Sequence, residues 1–314
     1  MLGYLGLGET FDEEMLAAAR DFGLRVPRSF ADRMRHGDAN DPLLRQVLPL
    51  GEELRTVSGY TLDPVGDRAA HKGPALLRKY HGRALVMATG SCAVHCRYCF
   101  RRHFPYEKQS VRDSLLCYLF DELRSDESVE EVVLSGGDPL SLGDSRLATL
   151  VNGIRAIAQV KRLRVHTRLP VILPSRVTPG LVQLLASGHI PTVVVLHVNH
   201  PREINAEVRQ SLDAMRSAGI SLLNQAVLLR GVNDDIDTLC ELSETCFDAG
   251  ILPYYLHQLD AVAGAAHFAV SDEHARDMAR RLRARLPGYL VPRLVREIAG
   301  AESKVPLCNK NGTS

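Results

Sequence analysis

The sequence predicts an α/β fold of parallel strands, with a barrel favoured over a sheet wound on both faces. Six short apolar or β-branched runs follow residue 80, and amphipathic stretches of helical length separate them. Strands that alternate with helices predict parallel strands joined by right-handed crossovers. Polar residues gather where each run ends. The strand ends of a parallel barrel converge on one mouth, where active sites are built.

The predicted elements follow a regular order along the chain. Before residue 80, apolar residues recur at helical spacing in three short segments, at 12–22, 29–36 and 41–49, and turn-forming residues follow them. These short helices indicate an extension packed on the main domain. Strands are predicted at residues 84–89, 131–135, 163–168, 192–198, 221–229 and 252–258. Longer helices are predicted at residues 113–124, 145–159, 207–219, 237–250 and 272–286. Glycine in RSAGI and FDAGI is typical of a helix C-terminus.

Composition excludes several classes of protein. The 314 residues, 45% hydrophobic and 24% charged, suit one large α/β domain or two ordinary ones. A formal net charge of +1 provides no overall field for nucleic acid, and no apolar run approaches the ~20 residues that span a bilayer. The N-terminus lacks the basic start of a secretory signal. Seven cysteines, an odd and uneven set, then indicate a reducing cytoplasm.

Three cysteines stand within eight positions of the stretch GSCAVHCRYCFRRHFPY, residues 90–106. Cys92, Cys96 and Cys99 are too few for a structural zinc cage of four ligands, and only His95, inside the loop, adds a nearby ligand. Soft thiolates also select iron–sulfur clusters. A four-iron cluster held by three cysteines keeps one iron free for a substrate or cofactor. The spacing therefore favours an open-site cluster over three unrelated buried thiols.

The spacing CxxxCxxC, with Tyr98 beside the last cysteine, resembles the signature of the radical S-adenosylmethionine superfamily. The resemblance implies a 4Fe-4S cluster on the three cysteines and a partial (β/α)6 barrel. In that superfamily the open iron binds the methionyl moiety of S-adenosylmethionine, and one electron yields a 5'-deoxyadenosyl radical. We expect three segments: a helical extension at 1–80, the barrel at 81–290, and a short C-terminal segment at 291–314.

The motif SGGDPL, residues 135–140, follows the second predicted strand. Alone it indicates a plain turn, but one strand after the cysteines it resembles the Gly-Gly motif of the superfamily. Glycines there imply that backbone carbonyls approach the amino group of the cofactor, because no Cβ intervenes. Contacts to S-adenosylmethionine are expected from Ser135, Gly136, Gly137, Asp138, His197, Asn199 and Gln225. The last three are equally explained as buried polar residues that hold loops together.

Longer segments are similar to the lysine 2,3-aminomutase family. HTRLPVILPSRVT, HVNHPREI, LLNQAVLLRGVNDD and EIAGAESKVPL carry the likeness, which runs from about residue 22 to 308. The likeness is greatest to the short bacterial branch that makes (R)-β-lysine for elongation factor P. The reaction moves an amino group from C2 to the neighbouring carbon, and this requires a π bond that an imine to pyridoxal phosphate supplies. Pyridoxal phosphate is therefore implied as a further cofactor.

The resemblance also implies residues for pyridoxal phosphate. Lys304, in the C-terminal segment, matches the lysine that forms the Schiff base in the family. Tyr80 and Arg83, in RKYHGR, match residues that cradle the phosphate, and the arginine fork suits that group. Alternatively, Lys304 is a solubilising surface lysine and Arg83 a surface cation at the start of a strand.

Three further residues match substrate contacts in the family. Arg101, two residues after the last cysteine, matches the carboxylate anchor. Arg102 and His103 better suit compensation of the negative charge of the iron–sulfur cluster. Asp260 matches the carboxylate that pairs with the ε-ammonium of lysine, or else caps a helix. Glu297 stands where family members that act in lysine catabolism, here called the catabolic relatives, carry an aspartate that pairs with the ε-ammonium. Alternatively, Glu297 is a solvated glutamate on a helix.

Two departures from the catabolic relatives concern zinc and oligomeric state. The chain stops ten residues after Lys304, where those enzymes continue into a cysteine-bearing tail that helps bind zinc. Asp235 stands where they place a zinc cysteine. We expect no structural zinc and a homo-oligomer with a different or weaker contact. The same two departures favour the short bacterial branch that makes (R)-β-lysine for elongation factor P over the catabolic enzymes.

The sequence therefore predicts an isomerase that converts L-lysine to (R)-β-lysine. A flavodoxin- or ferredoxin-like reductant and a ligase that attaches the product to elongation factor P are the expected partners, with no nucleic acid and no membrane. A close alternative keeps the mechanism and uses arginine or glutamate. Asp260 argues against glutamate, because two anions would face each other without a counter-ion. An iron–sulfur or zinc module for redox or binding would not need Lys304, the Gly-Gly turn and a barrel together.

Overall fold

Seven parallel strands in chain order form most of one mixed sheet. The structure is a computed structural model that describes residues 1–8, 12–71, 73, 75–106 and 110–307, so the end of the predicted C-terminal segment lies outside the described residues. The strands are β1 (Leu76–Leu77), β2 (Arg83–Thr89), β3 (Glu131–Gly136), β4 (Arg162–Thr167), β5 (Thr192–Leu196), β6 (Ser221–Leu228), β7 (Leu252–Gln258), β8 (Arg293–Arg296) and β9 (Val305–Pro306). The short strands β1 and β9 pair antiparallel with β2 and β8.

The order of strands in the sheet never reverses from β1 to β9. A doubly wound sheet reverses its order at a switch point, whereas a barrel adds each new strand beside the last. The outermost described strands do not pair with each other, so the barrel is open along one side. The predicted partial barrel is confirmed, and its six predicted strands correspond to β2 to β7. Strand β8 was not predicted, because Leu294 and Val295 alone are too few to display a strand period.

Helices connect the strands and fill the N-terminal segment. They are α1 (Glu13–Asp21), α2 (Arg28–Ala31), α3 (Pro42–Arg45), α4 (Leu116–Ser125), α5 (Asp144–Arg155), α6 (Leu169–Ile172), α7 (Pro179–Ala186), α8 (Ala206–Ser217), α9 (Ile236–Asp248) and α10 (Asp272–Arg285). The five long predicted helices are confirmed as α4, α5, α8, α9 and α10. Helix α7 was missed, and α2 and α3 are shorter than predicted; Gly37, with a φ of +74°, turns the chain between them. No helix among the described residues is both long and apolar enough for a membrane span.

Two apolar cores organise the chain around the sheet. The larger core lies between the strands and the longer helices, with Leu134 and Val165 fully buried. The second core is built by the N-terminal helices around Phe30, and it includes Val94 from residues 90–106 and Ile172 from α6. The extension therefore packs directly on residues 90–106, which we call the cysteine loop.

An ionic contact reinforces this packing. Glu53, 1% exposed, accepts a hydrogen bond from Arg97 Nε at 2.8 Å and pairs with Arg102 Nη2 at 2.9 Å. Arg97 also donates to the carbonyls of Ala18 and Phe22, at the end of α1. Both arginine side chains are completely buried. One carboxylate from the extension thus neutralises two buried cations of the cysteine loop.

Replacing Glu53 with glutamine should lower the free energy of unfolding by about 3–5 kcal/mol, because the buried Arg97 loses its carboxylate partner and Arg102 is left with the exposed Asp21, 3.4 Å away. Denaturant unfolding followed by circular dichroism measures the change. Asp121→Asn is the matched control, since Asp121 and Arg124 form an exposed pair at 2.9 Å and such pairs contribute little. Equal midpoints for Glu53→Gln and the parent would show that the buried pair is not needed for stability.

Candidate active site

The polar residues at the strand ends lie along one edge of the sheet. The cysteine loop leaves β2, Ser135 lies near the end of β3, and Arg168 and His197 directly follow β4 and β5. Because β2 to β8 are parallel, these carboxyl ends share the mouth of the barrel. The sequence prediction that they meet at one mouth is confirmed.

The three cysteines of the loop are partly exposed and near enough to influence one another electrostatically. Burial raises the pKa of Cys99 to about 11, and the neighbouring Cys96 adds to the rise. Burial also raises the pKa of Cys92, so the thiols of Cys92 and Cys99 keep their protons until a metal displaces them. Arg25 Nη1 donates to the Cys92 carbonyl at 2.9 Å, which ties the N-terminal extension to the first ligand position.

Gly136 and Gly137 lie against the backbone of the cysteine loop. Gly136 has a φ of +114°, and a Cβ there would stand 2.6 Å from the Thr89 carbonyl oxygen. A Cβ on Gly137 would stand 2.3 Å from the carbonyl oxygen of Ser91. The Gly137 amide donates to Thr89 O at 2.7 Å. Glycine is needed at these positions for the approach of two protein segments, a reason that the motif alone did not reveal.

Gly137→Ala should destabilise the protein by about 1–3 kcal/mol, because backbone rather than a flexible side chain must yield to the new methyl group. It should also reduce the iron that the cysteine loop retains after anaerobic loading. Gly143→Ala is the matched control, since a Cβ at Gly143 meets no atom within 4 Å. A Gly137→Ala protein with parental unfolding midpoint and parental iron content would contradict the close-approach explanation.

Asp138 organises the turn after β3. Its carboxylate accepts the Thr167 hydroxyl at 2.6 Å and the backbone amides of Arg168 and Leu169 at 2.8 and 3.0 Å. It also accepts the Leu140 amide at 3.1 Å. These bonds join the ends of β3 and β4. The contacts favour a positioning role for Asp138 over direct contact with a cofactor.

A buried polar network lies behind the cysteine loop, and it consists of Gln46, Tyr98, Arg168, Asn199 and Glu203. Glu203 accepts Arg168 Nη2 at 2.8 Å, Gln46 Nε2 at 3.0 Å and the Asn199 amide at 3.0 Å. Asn199 Nδ2 donates to the Tyr98 hydroxyl at 2.7 Å and to Gln46 Oε1 at 3.0 Å. All five residues are less than 10% exposed. The alternative explanation of Asn199, a buried residue that holds loops together, agrees with these contacts.

His197 and Gln225 form a separate pair inside the mouth. Gln225 Nε2 lies 2.8 Å from His197 Nε2. Withdrawal from solvent, together with the cations Arg168, Lys304 and Arg101, lowers the pKa of His197 to about 3. The imidazole is therefore neutral near pH 7. The pair offers hydrogen-bonding groups to a ligand without adding charge.

Five ionised residues form a continuous chain across the mouth. Arg101 Nε lies 2.6 Å from Asp67, and Lys79 Nζ lies 2.7 Å from the other oxygen of Asp67. Lys79 Nζ is also 3.7 Å from Glu297, which pairs with Lys304 Nζ at 2.9 Å. We call these residues the ion chain. It connects Arg101, beside the cysteines, with the lysine near the C-terminus.

Arg101 is nearly buried, 8% exposed, and its Nη1 donates to Ser135 Oγ at 3.0 Å. Burial opposes the ionisation of Asp67, but Arg101 and Lys79 outweigh it and hold the pKa of that carboxyl below its ordinary value. Asp67 was not recognised in the sequence. An isolated aspartate in a turn carries no signal that it will bridge two cations.

Lys304 and Glu297 lie inside the mouth rather than on the surface. The Lys304 side chain is 22% exposed and Glu297 is 11% exposed, so neither is a solvated surface residue. Tyr80 donates its hydroxyl to Glu297 at 2.5 Å, and Lys304 Nζ lies 5.6 Å from the centre of the Tyr255 ring. Although burial opposes it, Lys304 with Tyr80 holds the pKa of Glu297 below its ordinary value.

Arg83 lies at the amino end of β2, and its side chain is 48% exposed. Its Nε is 3.6 Å from Glu131, and its guanidinium carbon is 5.8 Å from the centre of the Tyr80 ring. These contacts agree with a surface cation at the start of a strand. They also leave the guanidinium accessible to an anion beside Tyr80.

Asp260 is partly buried near Lys304, and no helix begins there, so it does not cap a helix. Burial raises the pKa of Asp260 to about 7, while Lys304 acts in the opposite direction. His166 and His257 lie in the same region, and burial, with Arg164 acting on the first and Lys304 on the second, lowers the pKa of both. The mouth thus holds neutral histidines around a carboxyl that ionises near neutral pH.

Three other residues singled out in the sequence have structural partners. Asp235 accepts the Thr238 amide at 2.9 Å and caps α9. Arg102 binds Glu53, and its Nη1 donates to the Gly264 carbonyl at 3.3 Å. His103 Nε2 lies 3.1 Å from the Ala263 carbonyl. Glu53 and Asp21, the latter 3.4 Å from Arg102 Nη2, therefore balance the charge of Arg102.

A parallel barrel with a three-cysteine loop after its first parallel strand defines the radical S-adenosylmethionine class of enzymes, and the sequence pattern of the Radical SAM superfamily matches residues 86–242. A radical SAM methyltransferase from Sphaerobacter thermophilus has a similar fold, with a TM-score of 0.51 at 19% identity over 70% of this chain and 68% of that chain. This likeness concerns the fold alone.

Two relatives define the family within this class. The chain is 47% identical to the L-lysine 2,3-aminomutase of Escherichia coli (strain K12), over 94% of this chain and 87% of that protein. It is 44% identical to the L-lysine 2,3-aminomutase of Haemophilus influenzae, over 97% of this chain and 90% of that protein. The chain belongs to the lysine 2,3-aminomutase family. The resemblance read from the sequence is confirmed, and the family is one of isomerases.

Membership implies a 4Fe-4S cluster, S-adenosylmethionine and pyridoxal phosphate as cofactors, and the residues present fit all three. The cysteine loop supplies three sulfur donors; each would bind a different iron, so they need not meet at one ion. No three potential ligands of the described residues do converge on a single ion site. Lys304, at the same mouth, would supply the amine for pyridoxal phosphate. His197 and Gln225 would supply neutral hydrogen-bonding groups for S-adenosylmethionine.

Proposed function

We propose that this chain is an L-lysine 2,3-aminomutase that converts L-lysine to (R)-β-lysine. The ion chain is the observation that supports this best. It joins Arg101, two residues after the last cysteine, to Lys304 at the far side of the mouth. Arg101, suited to bind a carboxylate, and Lys304, suited to bind a carbonyl cofactor, thus lie at the same mouth as the cysteine loop.

The charges of the mouth fit a substrate with one carboxylate and a distant ammonium. Arg101 is proposed to bind the α-carboxylate, because its fork holds two oxygens. Asp260 and Glu297 are proposed to receive the ε-ammonium. Glutamate would bring a second carboxylate to these two residues and be repelled. Arginine as a substrate would carry the same charges as lysine. Only the size and planar shape of its guanidinium group would separate it from lysine in this site.

Each cofactor residue has a proposed task. The cofactors supply a carbon radical and a π bond across which nitrogen migrates. Cys92, Cys96 and Cys99 hold the iron–sulfur cluster. Lys304 holds pyridoxal phosphate covalently, and it must leave Glu297 to do so. Tyr80 and Arg83 hold the phosphate.

The proposed contacts to S-adenosylmethionine differ in kind. Ser135, Gly136 and Gly137 approach it from the end of β3, His197 from the end of β5, and Gln225 from within β6. Asp138 and Asn199 are proposed to keep these groups in place, since their side chains are already bonded within the protein.

Anaerobic incubation with L-lysine, S-adenosylmethionine and a reductant tests the proposal, with products separated by chiral chromatography. (R)-β-lysine and 5'-deoxyadenosine are the expected products. L-arginine and L-glutamate are offered in parallel incubations. Turnover of arginine without turnover of lysine would show that arginine is the substrate. Zinc in place of iron on the cysteine loop would contradict the radical mechanism.

The rate should depend on pH through Asp260. Its carboxyl, with a pKa of about 7 in the free enzyme, must ionise to pair with the ε-ammonium. We therefore expect kcat/KM for lysine to rise roughly tenfold per unit below pH 7 and to level off above it. Since the folded chain holds a proton that the unfolded chain releases, the contribution of this group to stability falls as the pH rises toward 7. Asp260→Asn should lose the rise in kcat/KM; an unchanged profile in that variant would assign it to another group.

The cellular role is proposed from the same family. We propose that the product supplies a ligase that modifies elongation factor P, that a flavodoxin- or ferredoxin-like protein provides the electron in the cytoplasm, and that the enzyme is a homo-oligomer without structural zinc. The proposed division into an N-terminal extension, a barrel and a C-terminal segment with Lys304 serves this chemistry. Mass spectrometry of elongation factor P from cells with and without the chain tests the link: a modification that persists without it would contradict the role.

A further inference from the structure

Arg168 is fixed next to one cysteine of the loop. Its Nη1 donates to Cys96 Sγ at 2.9 Å. Its backbone amide is bound by Asp138 at 2.8 Å, directly after β4. Hydrogen bonds therefore fix Arg168 at both its backbone amide and the end of its side chain, where it contacts the Cys96 sulfur.

The rest of the guanidinium is held just as firmly. Nη2 donates to Gln46 Oε1 at 2.6 Å and to Glu203 Oε2 at 2.8 Å. The rings of Phe30 and Tyr98 lie 5.3 and 5.9 Å from its central carbon. Arg168 itself is 5% exposed. A side chain fixed on this many sides cannot turn away from Cys96 without breaking the polar network.

One donor of Arg168 lacks an acceptor. Nε is buried and has no hydrogen-bond partner among the described residues. Leaving such a group unpaired costs about 1–3 kcal/mol, so its retention needs a reason. A negatively charged group bound beside Cys96 would provide the missing acceptor.

We propose that Arg168 is a positioning residue for the iron–sulfur cluster: it holds Cys96 in place by a charged hydrogen bond to its sulfur and makes the cluster easier to reduce. The inference rests on the proposed ligand role of Cys96 but not on lysine or pyridoxal phosphate. Reduction adds negative charge to the cluster, and hydrogen bonds to its sulfurs raise the reduction potential. The buried cation acts in the same direction, because little water screens it, while the carboxylate of Glu203 offsets part of its charge.

The test compares reduction midpoints of the full chain, loaded with iron and sulfide without oxygen and studied without substrates. Arg168→Met combined with Glu203→Gln removes the arginine without stranding a buried carboxylate. Glu203→Gln alone is the matched control, because it keeps the contact to Cys96. Electron paramagnetic resonance follows the reduced cluster during titration. We expect the ratio of reduced to oxidised cluster in the double variant to fall at least tenfold at a fixed potential, which is 59 mV for one electron, and the control to stay at or above the parent.

Each outcome decides the proposal. A double variant that loads normally and matches the control in midpoint overturns it, and weaker S-adenosylmethionine binding with an unchanged midpoint would assign Arg168 to that cofactor instead. Loss of iron with retained circular dichroism supports the positioning of Cys96. If the double variant does not fold, Arg168→Lys decides: a midpoint below that of the control supports the proposal, and an equal midpoint overturns it. A parent protein that does not turn over lysine, although its variants show the expected shift in midpoint, would count against the proposed function alone.

Discussion

Lys304→Ala should abolish covalent retention of pyridoxal phosphate and lower (R)-β-lysine formation by roughly 10³-fold or more, as expected when a covalent catalytic group is removed. The side chain of Lys304 is only 22% exposed, and its ammonium pairs with Glu297 at 2.9 Å inside the mouth. Borohydride reduction followed by peptide mass spectrometry should locate the cofactor on Lys304 in the parent and nowhere in the variant. Chromatography of the products measures the loss of turnover.

Lys161→Ala is the matched control for this experiment. Lys161 is 60% exposed and pairs with Glu130, before β4. It should retain the cofactor and the activity of the parent. The iron content of Lys304→Ala should also stay at the parental level, because the cysteine loop is untouched. A Lys304→Ala protein that still made β-lysine would remove the cofactor role of this residue.

Cys96→Ala should lose the iron–sulfur cluster and, with it, all reductive cleavage of S-adenosylmethionine. A cluster left with two cysteine ligands and a second open iron is expected to be unstable. The same change removes the acceptor of Arg168 Nη1, so a buried cation is left facing a methyl group. Iron and sulfide analysis and the yield of 5'-deoxyadenosine after anaerobic loading measure both effects.

Two other cysteines serve as controls for this variant. Cys117 is exposed and Cys246 is buried, and both lie on helices outside the mouth. Cys117→Ala and Cys246→Ala should keep the parental iron content and 5'-deoxyadenosine yield, although the second should cost some stability through the small cavity it leaves. Normal cleavage by Cys96→Ala would exclude this cysteine from the ligand set.

The strands and the longer helices were predictable because each is encoded by a period of apolar residues within a short window. The same holds for the cysteine loop, whose ligand spacing lies within eight residues. Strand β8 was not predicted, because four residues are too few to show a period of apolar residues. Its place in the sheet depends instead on pairing with β7, which aligns Leu294 with Leu256. Lys304 was recognised only by resemblance, since a lone lysine near a C-terminus has no local signal.

Contacts across the mouth were not predictable in the same way. Asp67 and Lys79 were missed, although they connect Arg101 to Glu297. Contacts from Asp138 and Asn199 to S-adenosylmethionine stay a prediction, and the hydrogen bonds of these side chains within the protein had no signal in the sequence. Polar residue types are shared by ligand contacts and by buried networks, so type and position in sequence do not separate the two.

The chain by itself determined the order of strands and helices, the barrel and the three-cysteine spacing, because these depend on neighbours a few residues apart. Only the tertiary structure decided which charges meet. Tyr80 reaches Glu297 across 217 positions, and Arg168 reaches Gln46 across 122 and Cys96 across 72. Such pairs form because the parallel strands of the open barrel bring distant strand ends to one edge, where burial favours the pairing of charges.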